Sequence, residues 1–154
     1  MLRLRIAALM LLVSLAPAAA ARADEVASFD KSTITIDTIA GPHHFAVELA
    51  LTPEQQELGL MFRSSLAPDH GMLFVHPVNG HYSYWMYQTY IPLDMIWMDE
   101  NHTIVELVES APPCKTVASK CAHFGGHETA KFVLELNGGA IRKYGLKAGE
   151  TIEW

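Results

Sequence analysis

The sequence is short of positive charge. Eleven Lys and Arg stand against seventeen Asp and Glu, and the Lys are scattered. Such a chain has no electrostatic footprint for nucleic acid and none for an anionic membrane surface. It lacks a G-x-S-x-G elbow, so the commonest serine-hydrolase turn is absent. It lacks the glycine-rich phosphate loops of P-loop and dinucleotide-binding proteins. Beyond the first two dozen residues no apolar run is long enough to cross a bilayer, which takes roughly 20 residues. There is no internal repeat and no low-complexity linker.

What is present begins with an export pattern. Arg3 and Arg5 precede an apolar run from Ile6 to Leu15, and Ala21-Arg22-Ala23 supplies an A-x-A cleavage step. Residues 1–23 are expected to be a signal peptide and residues 24–154 a single β domain. No cysteine opens the mature chain, so no lipid anchor is indicated. Without Arg3, Arg5 and Arg22 the net charge falls to about −9. The two cysteines, Cys114 and Cys121, both lie in the mature part. In a periplasmic or secreted protein a pair this close reads as a disulfide closing one small loop. Such a staple is worth roughly 2–3 kcal/mol.

Hydrophobic period predicts mostly strands. Thr33–Ile39 and His43–Leu51 alternate on either side of Ala40-Gly41-Pro42, the pattern of a hairpin. Thr52-Pro53-Glu54-Gln55 is a capping box with proline at the first helical position. The helix it opens ends by Gly59 or near Pro68. Asn79-Gly80 is the strongest turn dipeptide, and the aromatic run His81–Tyr87 after it is β-prone. Leu93–Met98 and Thr103–Val108 form a second hairpin. A loop with Cys, Pro and Gly spans Ala111–His127. Lys131–Leu136 is a strand, Gly138–Tyr144 a helical turn ended by Gly145, and Thr151–Trp154 a last strand. The expected fold is mainly β: a compact barrel or sandwich of about seven to eight short strands with one or two short helices.

Several blocks in order resemble one family. They are Thr52-Pro53-Glu54, Gly59-Leu60-Met61-Phe62-Arg63, Gly71-Met72-Leu73-Phe74, Trp85-Met86, Thr89 with Ile91-Pro92-Leu93-Asp94, Pro112-Pro113-Cys114, and Val133-Leu134-Glu135-Leu136-Asn137. Over about residues 43–154 the chain is similar to the Domain of Unknown Function 192 family. The resemblance implies a small, often exported, compact β protein and no particular activity. Three positions depart from the family pattern. Gln88 stands where Asn is usual, Leu58 where Arg is usual, and His102 where a hairpin turn usually has Gly. The first two bear on any polar site. The third fits a turn with positive φ, which His tolerates better than most residues.

The chemistry-bearing groups are few. Asp94 lies in the apolar run Ile91–Ile96, where a carboxylate must be paired or hydrogen-bonded. Arg63 is its candidate partner; the bland reading is a buried ion pair, or a carboxylate capping a turn. In the aromatic run, alternation puts His81, Ser83, Trp85 and Tyr87 on one face, with Tyr82, Tyr84 and Met86 on the other. Glu106 and Glu135 are candidate second carboxylates, each expected to point to solvent. Cys114-x6-Cys121-x-His123-x3-His127 is wide for a zinc site. His76, His81, Met61, Met72 and Met86 suit copper by chemistry, but no spacing selects them. No cofactor is implied.

The leading expectation is an exported binding or accessory module. It would hold a small polar or carbohydrate-like ligand near Arg63, Trp85, Met86, Gln88, Thr89 and Asp94. The alternatives are a hydrolase or lyase using Asp94 with a second carboxylate, and a periplasmic metal-handling protein.

Overall fold

Strands β1 (Asp30–Thr38) and β2 (Gly41–Ala50) form the first hairpin, closed where Thr38 faces Gly41. The structure is a computed structural model that describes residues 28–38 and 40–154. The expected signal segment, residues 1–23, lies outside the described residues. No helix among the described residues is long and apolar enough to cross a membrane.

Helix α1 (Pro53–Leu58) follows β2, and its capping box forms as read. The Thr52 side chain accepts from the Gln55 N–H, and the Gln55 side chain accepts from the Thr52 N–H. Gly59 ends it. This short crossover allows β3 (His70–Gly80) to lie parallel to β2. After β4 (Tyr84–Trp85) come β5 (Leu93–Met98) and β6 (Ile104–Ala111), joined through His102 at φ 63°, the positive value expected there. A 3-10 turn and β7 (His123–Phe124) precede β8 (Ala130–Asn137). Helix α2 (Ala140–Tyr144) and β9 (Ile152–Glu153) finish the chain.

Seven strands form one sheet in the order β6-β5-β8-β3-β2-β1-β9, and β4 with β7 forms a second, small one. The large sheet curls into a half-barrel. The curl brings its two ends together: the Ile104 N–H donates to the Glu150 carbonyl, and the Ile152 N–H to that of His102.

Both faces of the central strands are covered. Every residue of β5 is buried. Ile34, Phe45, Leu73, Ile96, Leu134 and Ile141 pack on one face. Met72, Phe74, Met86, Met95, Trp97 and Val133 pack on the other. Strands covered on both sides read as continuous apolar runs rather than alternating ones, as β5 and β8 do.

Two local expectations are corrected. Asn79-Gly80 is not a tight hairpin turn; both residues belong to β3, and neither has positive φ. The β3–β8 register shifts between Val75 and Gly80, and the Tyr82 hydroxyl donates to the Val78 carbonyl, so this segment packs instead of reversing. The aromatic run is not a long strand either. Tyr84 and Trp85 pair with Phe124 and His123, and Tyr87 makes a single bridge to Cys114. The loop carrying β7 closes over Trp97 through Gly125, at φ 65°, where a side-chain carbon would collide with the indole.

Cys114 and Cys121 form the expected disulfide, with an S–S length of 2.08 Å. The loop is tied to the aromatic run, since the Cys114 N–H donates to the Met86 carbonyl at 3.0 Å.

Candidate functional site

The proposed Arg63–Asp94 pair does not exist. Arg63 makes two 2.7 Å hydrogen bonds to the two oxygens of Glu48 on β2. This bond holds the Glu48 carboxyl below its ordinary range against the opposing effect of burial, and raises the Arg63 pKa. Asp94 is fully buried elsewhere. Its carboxylate accepts from the backbone N–H groups of Ser110 at 2.7 Å, Gly139 at 2.9 Å and Ile141 at 2.6 Å. The N-cap of helix α2 is Gly139, which has no side chain to cap it. Asp94, reaching across from β5, supplies the missing acceptors. It caps a turn and is sealed from solvent.

Neither candidate second carboxylate shares the face of Asp94. Asp94 pairs with Leu136, and Glu135 with Met95, so the two acids project from opposite faces. Glu106 pairs with Trp97, again on the other face from Asp94, and is occupied by His127, whose Nδ1 lies 2.6 Å from its Oε1.

Glu135 is where expectation fails most usefully. It does not point to solvent: it is 4% exposed. Its neighbours across the sheet are Met72 on β3 and Met95 on β5. No hydrogen bond to its carboxyl occurs among the described residues, yet it has no sealed, unsatisfied oxygen, because it opens on a cavity of about 30 Å³. That volume is about one water's worth of space. Burial pushes the Glu135 pKa up to about 8.

Trp85 and Thr89 line this cavity together with Glu57, Leu60 and Tyr84. The cavity adjoins two open concavities through shared walls, Glu57 and Trp85. One, of about 390 Å³, shares Leu58 and Met61 as well and adds Glu54, Tyr87 and Gln88. The other, of about 190 Å³, shares Gln56 and Tyr84 as well and adds His76, Tyr82 and Ser83. The three, joined at Glu57 and Trp85, are termed the Trp85 cleft; the larger concavity is of ligand-binding size, and Glu135 lines the small inner cavity alone.

Local structure fixes the walls. Gln56 holds α1 down by donating to the carbonyls of Ala50 and Val75. The Phe62 N–H donates to the Gln88 carbonyl at 2.8 Å, tying the segment after α1 to the aromatic run. Both residues have positive φ, 64° and 54°. The Trp85 and Tyr87 rings lie 5.5 Å apart at 46° and make an open corner. Tyr84 shares a 3.0 Å hydrogen bond with His76, which stacks on Tyr82. Burial lowers the His76 pKa to about 4, so its ring is neutral at pH 7. Burial, then the Glu135 charge, raises that of Tyr84.

Of the six residues expected at a site, Trp85, Gln88 and Thr89 line the cleft. Met86 is 1% exposed and belongs to the core, and Arg63 and Asp94 are engaged elsewhere. Glu57 and Tyr84 were not foreseen at the site, and Glu135 was foreseen only as a solvent-facing second carboxylate beside Asp94. Among the described residues no cluster of three or more His, Cys, Asp or Glu is placed to hold a metal. The cysteines of the zinc-like spacing are joined to each other.

The pattern of the DUF192 family, described as Uncharacterized ACR, matches residues 35–154. The chain belongs to the DUF192 family. A UPF0127 protein of Thermococcus gammatolerans is 30% identical over 113 residues, covering 72% of this chain and 67% of that protein. A crystal structure of a candidate transcription regulator from Sinorhizobium meliloti has 38% identity and a TM-score of 0.75, covering 82% of this chain and 95% of that one. One of a protein of unknown function from Novosphingobium aromaticivorans has 31% identity and a TM-score of 0.73, covering 80% and 85%. Two of this DUF192 chain's departures from the family pattern, Leu58 and Gln88, fall on the cleft wall.

Proposed function

We propose that this protein is a ligand-binding module of the periplasm or secreted space, and that the Trp85 cleft is where it holds a small polar or carbohydrate-like molecule. One observation carries the reading. Glu135 is a buried carboxyl with no hydrogen-bond partner among the described residues, on a cavity whose Trp85 wall is shared with the larger concavity. A fold does not keep such a group in its sheet for stability, since burying an unpartnered carboxyl is unfavourable. The disulfide supports a location where thiols oxidise.

A catalytic reading through Asp94 has no support, because its oxygens serve three backbone donors. Nor does the acidic balance of the chain favour the nucleic-acid role that the description of the Sinorhizobium protein suggests.

The test is a thermal-shift screen of small polar and sugar compounds against wild type, Trp85→Ala and Asp94→Asn. A bound ligand raises stability with its occupancy. Trp85→Ala should abolish the shift given by a true ligand, while Asp94→Asn should leave the ligand-induced increment in place. Hits that survive Trp85→Ala would put the site elsewhere.

A further inference from the structure

The charge of the cleft is one-sided. Glu54, Glu57 and Glu135 line its three adjoining concavities, and among the described residues no Lys or Arg does. His76, among its lining residues, is bonded to Tyr84 and stacked on Tyr82 at 3.5 Å between ring centroids, and His123 packs beside Trp85 at 5.9 Å. The walls offer ring faces, chiefly Trp85 and Tyr87. A phosphate or carboxylate entering here would meet like charge without a counterion. A cation would meet ring faces that attract it and carboxylates that neutralise it.

We propose that the cleft binds an organic ammonium group, with Trp85 and Tyr87 facing the cation and Glu57 and Glu135 supplying the counter-charge. This rests on the reading of the cleft as the ligand site. Two independent features carry it: the aromatic corner with its acidic rim, and the Glu135 carboxyl, buried and without a partner at the floor. The inner cavity has room for little more than a small polar head. The outer concavity, with Leu58 and Met61 in its wall, takes apolar substituents.

Proton balance follows. The titratable and charged groups on the Glu135 side are Glu57 from α1, His76 from β3, Tyr82 and Tyr84 from the aromatic run, His123 of β7 beside Trp85, and, beyond Met72, Glu48 of β2 held by Arg63; across β5 its neighbour is Met95. Buried Glu135 keeps its proton up to about pH 8. An arriving ammonium group favours the carboxylate, so binding below that pH releases the Glu135 proton to solvent. Affinity then rises with pH by up to about tenfold per unit until Glu135 is ionised.

The experiment is an NMR titration of the full chain, followed at the Trp85 indole. The cationic probes are butylammonium and tetramethylammonium; the neutral counterparts are butanol and tert-butanol; methyl glucoside is the sugar probe. At least one cation should bind roughly five- to thirty-fold more tightly than its neutral counterpart. Its affinity should climb from pH 6 to 8 in wild type and stay flat in Glu135→Gln. Leu58→Arg, at an already solvent-contacting wall, should abolish cation binding through like charge. Equal binding of cation and alcohol, or cation binding indifferent to Leu58→Arg, would overturn the inference. Binding of the glucoside alone would also overturn it while leaving the cleft as the ligand site. If no probe moves Trp85, both readings fall.

Discussion

Ile141 donates its backbone N–H to Oδ2 of Asp94, forty-seven residues earlier, at 2.6 Å. Through this bond and the one from Gly139, strand β5 caps a helix that has no cap of its own. The acid that looked most chemical in the sequence is thus a joint between two parts of the fold.

Asp94→Asn should therefore destabilise by about 2–4 kcal/mol, since an amide presents a donor where the backbone presents donors already. Urea unfolding measures this. A change within about 0.5 kcal/mol, the range of an ordinary surface substitution, would contradict the capping role.

Glu135→Gln should stabilise the protein at neutral and higher pH. The native Glu135 keeps its proton to about pH 8, while its ordinary value is 4.5. The unfolded chain loses that proton first, so stability falls as pH rises from 4.5 to 8. The full loss is roughly 3–5 kcal/mol. His76 acts in the opposite sense at lower pH, its stabilisation fading as pH falls from 6.5 toward about 4. Subtracting the unfolding curves of wild type and Glu135→Gln isolates the Glu135 slope. Parallel curves between pH 5 and 8 would show that Glu135 is not desolvated.

Gln88→Asn should stabilise by about 0.5–1 kcal/mol. Gln88 is held at φ 54°, a conformation Asn enters with less strain than Gln. Thermal melts of the two proteins provide the check, and a lowered midpoint would count against backbone strain at this position.

Replacing both Cys114 and Cys121 by Ser should cost about 2–3 kcal/mol. The perturbation should spread to residues 84–89, because Cys114 is bonded to Met86 and bridges Tyr87. Amide chemical shifts would locate it. Unaltered shifts at Trp85 and Tyr87 would mean that the loop does not brace the cleft.

Local signals were legible wherever structure is locally decided. Thr52 and Gln55 sit three residues apart and form the capping box; the Gly41-Pro42 hairpin and the turn at His102 close over short distances. The site was only half legible. Trp85, Gln88 and Thr89 stood out in one aromatic segment, but Arg63 found Glu48 rather than Asp94 through folding that joins distant strands. Glu135 carried the same signal as Asp94, a carboxylate between apolar neighbours in Val133-Leu134-Glu135-Leu136. Alternation suggested that it faced water. An isolated strand cannot disclose that its second face is roofed, here by α1 and the aromatic run.

The central place of β8 in the sheet has a consequence for timing. Its residues arrive last among the large strands and wedge between β3 and β5, which are made much earlier. A nascent chain that has emerged only as far as the disulfide loop carries the aromatic corner but no floor beneath it. On the proposed reading of the cleft, a small molecule finds its carboxylate floor only once β8 is in place.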